Sequence, residues 1–447
     1  MGRITKLTKS RKSLIKDYEG KTPLSRSQWQ KGLSFMPGGV IKGAYWSDPY
    51  PTYIAKAEGC YIWDIDNNQY VDFGNHHSAM ILGHNDSAVV EAVEREIHRG
   101  FGLGGPIELE LEISREIINR FPSVNKVRFC NSGTEAAIHV ARMVRAITGR
   151  TKLAKFEGAY HGSTDSLEVS TSPSLEKAGP ANSPYAVSEW PGMPQGSEED
   201  LIILPYSDRE SVEIILRENR DEIAGVFYDA RPGIIEVSGE FTRFIRDITK
   251  ELGIPMVMDE VVSFRSGPGG AQGLFGIEPD ITMFGKAFGG GFPIGAIGGK
   301  DEFMQILDNS SVAGVLNQSG TFSGNSFTLA AGLATLKRLS TEVYDHIDSL
   351  RQALHDGLVQ VFEQASLPNR VLSAGAGLQY YLTDQPVTDY RAVQSLPNSE
   401  LAERIELALF LKGFSMRGGI GITLSAPMTP DHITDFLSAL EETLQEK

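Results

Sequence analysis

Two cysteines in 447 residues, Cys60 and Cys130, are too few for a disulfide framework or a cysteine-built metal site, and no metal is expected. Long apolar runs are missing as well. No stretch approaches the ~20 residues of a membrane-spanning helix, so a membrane is not an expected partner. Basic residues are in deficit. The formal charge of −15 argues against nucleic acid or an anionic surface as the main partner. The start, MGRITKLTKSRKS, is basic but no apolar core follows it, so it reads as a frayed terminus or a targeting arm and not a secretory signal. Cytoplasm is the expected location. No internal repeat or low-complexity segment occurs. What is present, 41% apolar and 22% charged residues, suits a globular chain of two domains whose partners are small molecules.

Three zones are visible along the chain. Residues 1–73 read as a helix, an irregular stretch and the hairpin CYIWDIDNNQYVDF, turning at Asp66, Asn67 and Asn68. From 74 to 325, short apolar runs (KVRFC, KLAKF, IAGVFYD, IPMVMD and DITMFG) alternate with amphipathic helical patterns such as TEAAIHVARMVRAITG and FTRFIRDITKEL. Continuous apolar strands separated by helices predict an α/β fold with a mostly parallel sheet covered on both faces. Residues 326–447 show helical patterns flanking weaker strands, GLQYYL and GIGITL. This last zone predicts a small α+β domain shared with the N-terminal zone. The polar stretch 170–198 predicts a long loop of functional interest.

Ligands of open parallel sheets sit beyond the carboxyl ends of the strands. After KVRFC comes NSGTEAA, where Ser132, Gly133 and Thr134 offer hydroxyls and free N–H groups at a positive helix end, suited to a phosphate. Ordinary N-capping by Ser132 or Thr134 explains the same residues. After KLAKF stand Tyr160 and His161, where an aromatic side chain can stack on a planar ring. MVM ends on Asp259 and Glu260, and a carboxylate there needs a partner such as a pyridinium nitrogen. DITMFG leads into Lys286, whose amine is a candidate Schiff-base former. Phosphate cradle, stacking ring, acid and amine together describe a site for pyridoxal 5'-phosphate (PLP).

FCNSGTEAAIHVARMVRAITGR, EGAYHGSTD, MDEVVSFR, GGAQGLFGIEPDITMFGKAFGGGFPIGAIGG and SGTFSGN closely resemble the class III aminotransferases of PLP fold type I. SFMPGGV and GGAQ narrow the resemblance to the glutamate-1-semialdehyde aminomutase branch, which also holds β-amino-acid and D-phenylglycine transaminases. The resemblance runs from Ser34 to Leu437. It implies that Lys286 carries PLP and shuttles the proton, that Asp259 holds the pyridine nitrogen and that Tyr160 stacks on the ring. It places Ser132, Gly133 and Thr134 on the phosphate, with His161 among the cofactor contacts. Thr321 would reach the phosphate of a neighbouring subunit, implying a homodimer.

Four departures qualify that picture. Where the family has Glu-Pro, this chain has Asp229-Ala230, and the following Arg231 reads either as half of a salt bridge or as an extra anion contact. The branch's substrate-carboxylate arginine falls on Lys42, which reads either as a carboxylate contact without the bidentate fork or as a solvent-exposed residue. LSAPMTPDHI lacks the acid expected of the aminomutase. Arg417 stands two residues earlier than the arginine of comparable transaminases, where it is either a contact for an α-keto acid or an exposed strand-start residue. The expectation is a ping-pong aminotransferase moving an amino group from an amine or amino acid, β-amino acids included, to an α-keto acid. The alternatives are a PLP-dependent isomerase, either glutamate-1-semialdehyde 2,1-aminomutase or an amino-acid racemase, and a non-catalytic cofactor-binding protein.

Overall fold

The computed structural model describes residues 9–100, 102–311, 316–396, 399–417 and 421–445; most of the basic start lies outside them. The chain forms two compact units. The larger comprises Ala88–Thr341 with Val387–Ser395, and the smaller comprises Met1–Ser87, Glu342–Pro386 and Leu396–Lys447.

The larger unit is built on a seven-stranded sheet. From one edge its strands are Lys126–Cys130, Gly295–Gly299, Ile281–Gly285, Met256–Asp259, Ile223–Tyr228, Lys152–Phe156 and Leu201–Leu204. All pairings are parallel except the two made by Gly295–Gly299, which runs antiparallel to both neighbours. The strands Ile223–Tyr228, Met256–Asp259 and Ile281–Gly285 are buried along their whole length, as a sheet covered on both faces requires. This is the sheet of PLP fold type I.

Two strands carry little sequence signal. Leu201–Leu204 is short, and GAIGG at 295–299 is glycine-rich because neighbours crowd it. A Cβ on Gly295 would lie 2.1 Å from the Ser132 carbonyl oxygen. The long loop from Ser170 is pinned rather than loose. Ser170 Oγ accepts from the Val187 N–H at 2.9 Å, and the buried Lys155 amine donates to the carbonyls of Leu167 and Val169 at 3.0 and 2.6 Å.

The smaller unit holds two sheets. Ile54–Glu58, Tyr61–Asp64 and Gln69–Asp72 form an antiparallel meander, to which Phe414–Ser415 adds in parallel. Arg370–Ala374, Gly377–Tyr381 and Ile422–Thr423 form the other, and residues 418–420 of the expected last strand lie outside the described residues. The units part later than residues 73 and 325 because of local packing. Asn75 Nδ2 donates to the Thr423 carbonyl at 2.8 Å, which ties the segment after the hairpin to the smaller unit. Helix Ser326–Arg338 packs instead on helix Glu108–Arg120 and on the turn Lys286–Gly289 of the larger unit.

Candidate active site

Met256–Asp259 and Ile281–Gly285 run side by side with Asp259 opposite Met283, so Asp259 and Lys286 both lie at the carboxyl edge of the sheet. The two adjacent acids then part. Asp259 is 5% exposed; its Oδ2 accepts from His161 Nδ1 at 2.8 Å and its Oδ1 from the Val261 N–H at 2.9 Å. A carboxylate has about four acceptor positions, so Asp259 keeps capacity for one more donor. Glu260 is fully buried and turns the other way. It accepts from the N–H groups of Ala271 and Gln272 at 3.0 and 2.8 Å and from Ser263 Oγ. Gly270, at φ 63°, lies so close that a Cβ would stand 2.7 Å from the Glu260 carboxyl carbon. Burial pushes the Glu260 pKa up to about 7 against the pull of those hydrogen bonds.

Lys286 is half-buried and opens the turn Lys286–Gly289 at φ 52°, a conformation that long side chains rarely adopt. The turn is over-determined by its surroundings: a Cβ on Gly290 would meet Thr335 Oγ1 at 2.6 Å. Tyr160 is half-exposed, its hydroxyl 3.1 Å from Ser163 Oγ, leaving the ring accessible. His161 is 2% exposed and reaches Asp259, and its Nε2 is buried without a hydrogen-bond partner among the described residues. It braces the acid from beneath.

Ser132 is the N-cap of helix Gly133–Thr148, with Oγ accepting from the Glu135 N–H at 3.1 Å. The capping alternative therefore holds for its side chain. The first N–H groups of the helix, on Gly133 and Thr134, have no intrahelical acceptor and remain suited to an anion. Glycine is required at 133 by packing, since a Cβ would stand 2.8 Å from Val261 Cγ2. Thr321 is exposed, while its neighbours Gln318 and Ser323 bond to the Phe129 carbonyl and the Asn131 amide at 3.1 and 3.3 Å.

Among the described residues Arg231 makes no salt bridge. At φ 44° its own N–H turns back to Asp229 Oδ1 at 2.9 Å, and Nη1 donates to the Gly158 carbonyl at 2.9 Å. Burial raises the pKa of Asp229, the Asp259 charge adds to the rise, and Arg231 opposes it. A contact missed from sequence lies nearby. Arg391 grips the nearly buried Glu157 through two parallel bonds of 2.8 and 2.9 Å and also donates to the Ala178 and Gly179 carbonyls. More than two hundred residues separate the partners, so no spacing could reveal the pair.

In the smaller unit Arg417 is half-buried, not an exposed strand-start residue. Nη1 donates to the hydroxyls of Tyr18, Ser47 and Thr52, each at 3.2 Å, and the guanidinium lies over the Phe410 and Tyr18 rings at 4.2 and 4.9 Å. It lines a cavity of about 790 Å³. Lys42 is exposed, its ammonium 4.1 Å from the centre of the Tyr45 ring.

Four consecutive residues beside this cavity, Asn75, His76, His77 and Ser78, have φ of 45°, 48°, 55° and 71°. A left-handed turn of non-glycine residues costs about 1–2 kcal/mol per residue. Asp72 holds it by accepting from the N–H groups of Gly74 and Asn75 at 2.9 and 3.0 Å. A Cβ on Gly74 would come 2.3 Å from the Arg417 carbonyl oxygen, so the turn and Arg417 are built against each other.

A buried acid and a lysine at the carboxyl edge of a parallel sheet, with a free helix N-terminus and an accessible tyrosine ring, have the donor set that PLP requires. Residues 43–399 match the class III aminotransferases. A curated glutamate-1-semialdehyde 2,1-aminomutase from Methanocaldococcus jannaschii is 35% identical over 394 residues, 87% of this chain and 88% of that one. An omega-transaminase structure from Sphaerobacter thermophilus aligns with a TM-score of 0.90 at 35% identity, covering 94% of this chain and 97% of that one. A beta-phenylalanine aminotransferase from Variovorax paradoxus gives 0.83 at 26% identity, covering 96% and 95%. The chain belongs to the class III aminotransferase family. The family's cofactor is PLP. No helix among the described residues is long and apolar enough to cross a membrane.

Proposed function

We propose that the protein is a transaminase that takes an amino group from an amino acid or amine, β-amino acids included, and passes it to an α-keto acid. The observation that carries this reading is the pairing of Lys286 with the braced Asp259 at one sheet edge. When bound, PLP withdraws electrons from the carbon that carries the amino group and holds that group between half-reactions. Asp259 keeps a positive charge at the ring nitrogen, and His161 fixes the carboxylate's direction. The N–H groups of Gly133 and Thr134 hold the phosphate, and Tyr160 covers one ring face. The Lys286 amine moves the proton at the substrate carbon. Arg417 takes the carboxylate of the keto acid, with Lys42 serving the donor carboxylate; Arg231, bonded to Gly158, is the weaker anion contact. Because the keto product leaves before the acceptor enters, the kinetics are ping-pong.

A homodimer supports this site in the proposal, with Thr321 reaching the partner's phosphate. Light scattering that finds a fully active monomer at high dilution excludes the shared site.

One other reading has specific support. The curated relative at 35% identity is named an aminomutase, an isomerase that would retain its product. The lack in LSAPMTPDHI of a counterpart to the acid expected of the aminomutase, and the omega-transaminase at the same identity, favour release. A panel of amine donors with pyruvate and 2-oxoglutarate decides. Stoichiometric release of a keto product or aldehyde supports transamination. Conversion of glutamate-1-semialdehyde to an isomer, with no keto product from any donor, overturns it.

A further inference from the structure

The segment Val387–Ser395 belongs to the larger unit, although the chain before and after it belongs to the smaller. Backbone and side chains fasten this strap. The Glu236 N–H donates to the Val387 carbonyl at 2.8 Å, Ser207 Oγ to the Thr388 carbonyl at 3.1 Å, and the Tyr390 hydroxyl to the Pro173 carbonyl at 2.9 Å. Asp389 caps its helix, Tyr390–Gln394, by accepting from the Ala392 N–H at 2.7 Å. Two of its side chains converge on Glu157 and Gly158, the first residues after strand Lys152–Phe156. Tyr390 packs so tightly on Gly158 that a Cβ there would stand 2.6 Å from Tyr390 Cβ, and the φ of 77° already favours glycine. Arg391 holds both oxygens of Glu157. Beyond them the Gly158 N–H donates to the Ser170 carbonyl at 2.9 Å and the Ala159 N–H to the Phe156 carbonyl at 3.1 Å. Little backbone freedom remains between the gripped residues and Tyr160.

We infer that Arg391 and Tyr390 are positioning residues that act through Glu157 and Gly158 to aim the Tyr160 ring at the face of the cofactor. The inference deepens the proposed function and rests on Tyr160 covering the PLP ring. Tyr160 is half-exposed, so the backbone that carries its ring sets the ring's direction. A buried ion pair is a poor source of stability, because lost hydration offsets much of the attraction. Two parallel bonds supply something else, a fixed orientation of the groups they join. Stability alone would be served as well by apolar side chains at 157 and 391.

Removing both charges at once separates direction from stability. Arg391→Met alone strands the Glu157 carboxylate and lowers the melting temperature. Glu157→Met combined with Arg391→Met leaves neither charge, and the melting temperature should return close to wild type. Fluorescence titration of the full-length apoprotein with PLP reads the ring contact without any turnover. The double variant should bind PLP roughly two- to tenfold more weakly, the value of a stacking contact, and so should Tyr160→Leu. With all three changes PLP should bind no more weakly than to Tyr160→Leu, because the strap acts through that ring. Arg391→Lys is the second probe. It keeps a charge beside Glu157 and so the fold, but not the two parallel bonds, and it should also weaken PLP. Normal PLP affinity in the double variant or in Arg391→Lys would make the pair structural and overturn the inference. Losses that multiply in the triple variant also overturn it. Tyr160→Leu that binds PLP normally refutes the role of that ring in the proposed function, and the inference with it. Failure of the transaminase reading shows separately, in the donor panel.

Discussion

Asp259 and Glu260 are neighbours in sequence with opposite surroundings, and exchanging each for its amide separates cofactor binding from stability. In Asp259→Asn the amide oxygen still accepts from the Val261 N–H, and His161 can present Nδ1 as an acceptor to the new NH2, so the fold loses little. What is lost is the charge opposite the ring nitrogen. A hydrogen bond to a charged group is worth about 1.5–3 kcal/mol, which weakens PLP binding roughly 10- to 150-fold. In Glu260→Gln the outcome reverses. One carboxyl oxygen becomes an NH2 facing the Ala271 N–H and the Ser263 hydroxyl, and an unsatisfied buried donor costs about 1–3 kcal/mol. PLP affinity should stay within about threefold while the apoprotein melts several degrees lower, at about 2–4 °C per kcal/mol. The sign with pH is fixed too. Burial raises the Glu260 pKa from the ordinary 4.5 to about 7, so its stabilising contribution is complete below pH 4.5 and is lost as pH climbs to about 7. Glutamine does not titrate, so the wild type's advantage over Glu260→Gln shrinks from pH 5 to pH 8. PLP titrations by fluorescence and apoprotein melts at both pH values test all of this. A gap that widens toward pH 8, or an Asp259→Asn protein that binds PLP normally, refutes the reasoning.

Lys286→Ala should abolish transamination while leaving the circular dichroism spectrum and melting temperature near wild type; turnover at near wild-type rate removes Lys286 from the mechanism. Arg417→Met should lower kcat/KM for pyruvate or 2-oxoglutarate by about one to two decades, the value of a charge-assisted hydrogen bond. Lys42→Met should weaken β-amino-acid donors and spare uncharged amines, and equal losses for both would mean that Lys42 supports its loop instead. Arg391→Met strands the carboxylate of Glu157, whose side chain is 4% exposed, and should destabilise the protein by about 3–5 kcal/mol in denaturant melts. Loss of less than about 1 kcal/mol would show that water reaches Glu157.

The larger unit's sheet was legible wherever burial on both faces wrote a continuous apolar run. KVRFC, KLAKF, IAGVFYD, IPMVMD and DITMFG all contain strands of the observed sheet. GAIGG was not legible, because the close approach of Ser132 and Phe284 selects glycine over the β-branched residues that mark a strand. Asp259 and Lys286 stood out since a charge at the end of an apolar run conflicts with its setting. Such conflict between local pattern and chemistry is a signal that a single sequence carries well. The bracing of Asp259 by His161, the grip of Arg391 on Glu157 and the hydroxyl box around Arg417 were invisible, because each joins residues tens to hundreds of positions apart. The left-handed turn is the hardest case. Asn-His-His-Ser has no glycine to announce positive φ, and its geometry arises from the Asp72 carboxylate and the Arg417 carbonyl on the far side of Gly74. Asn and His tolerate positive φ better than most residues, but both types also occur throughout ordinary loops, so the turn is found only once the chain is folded.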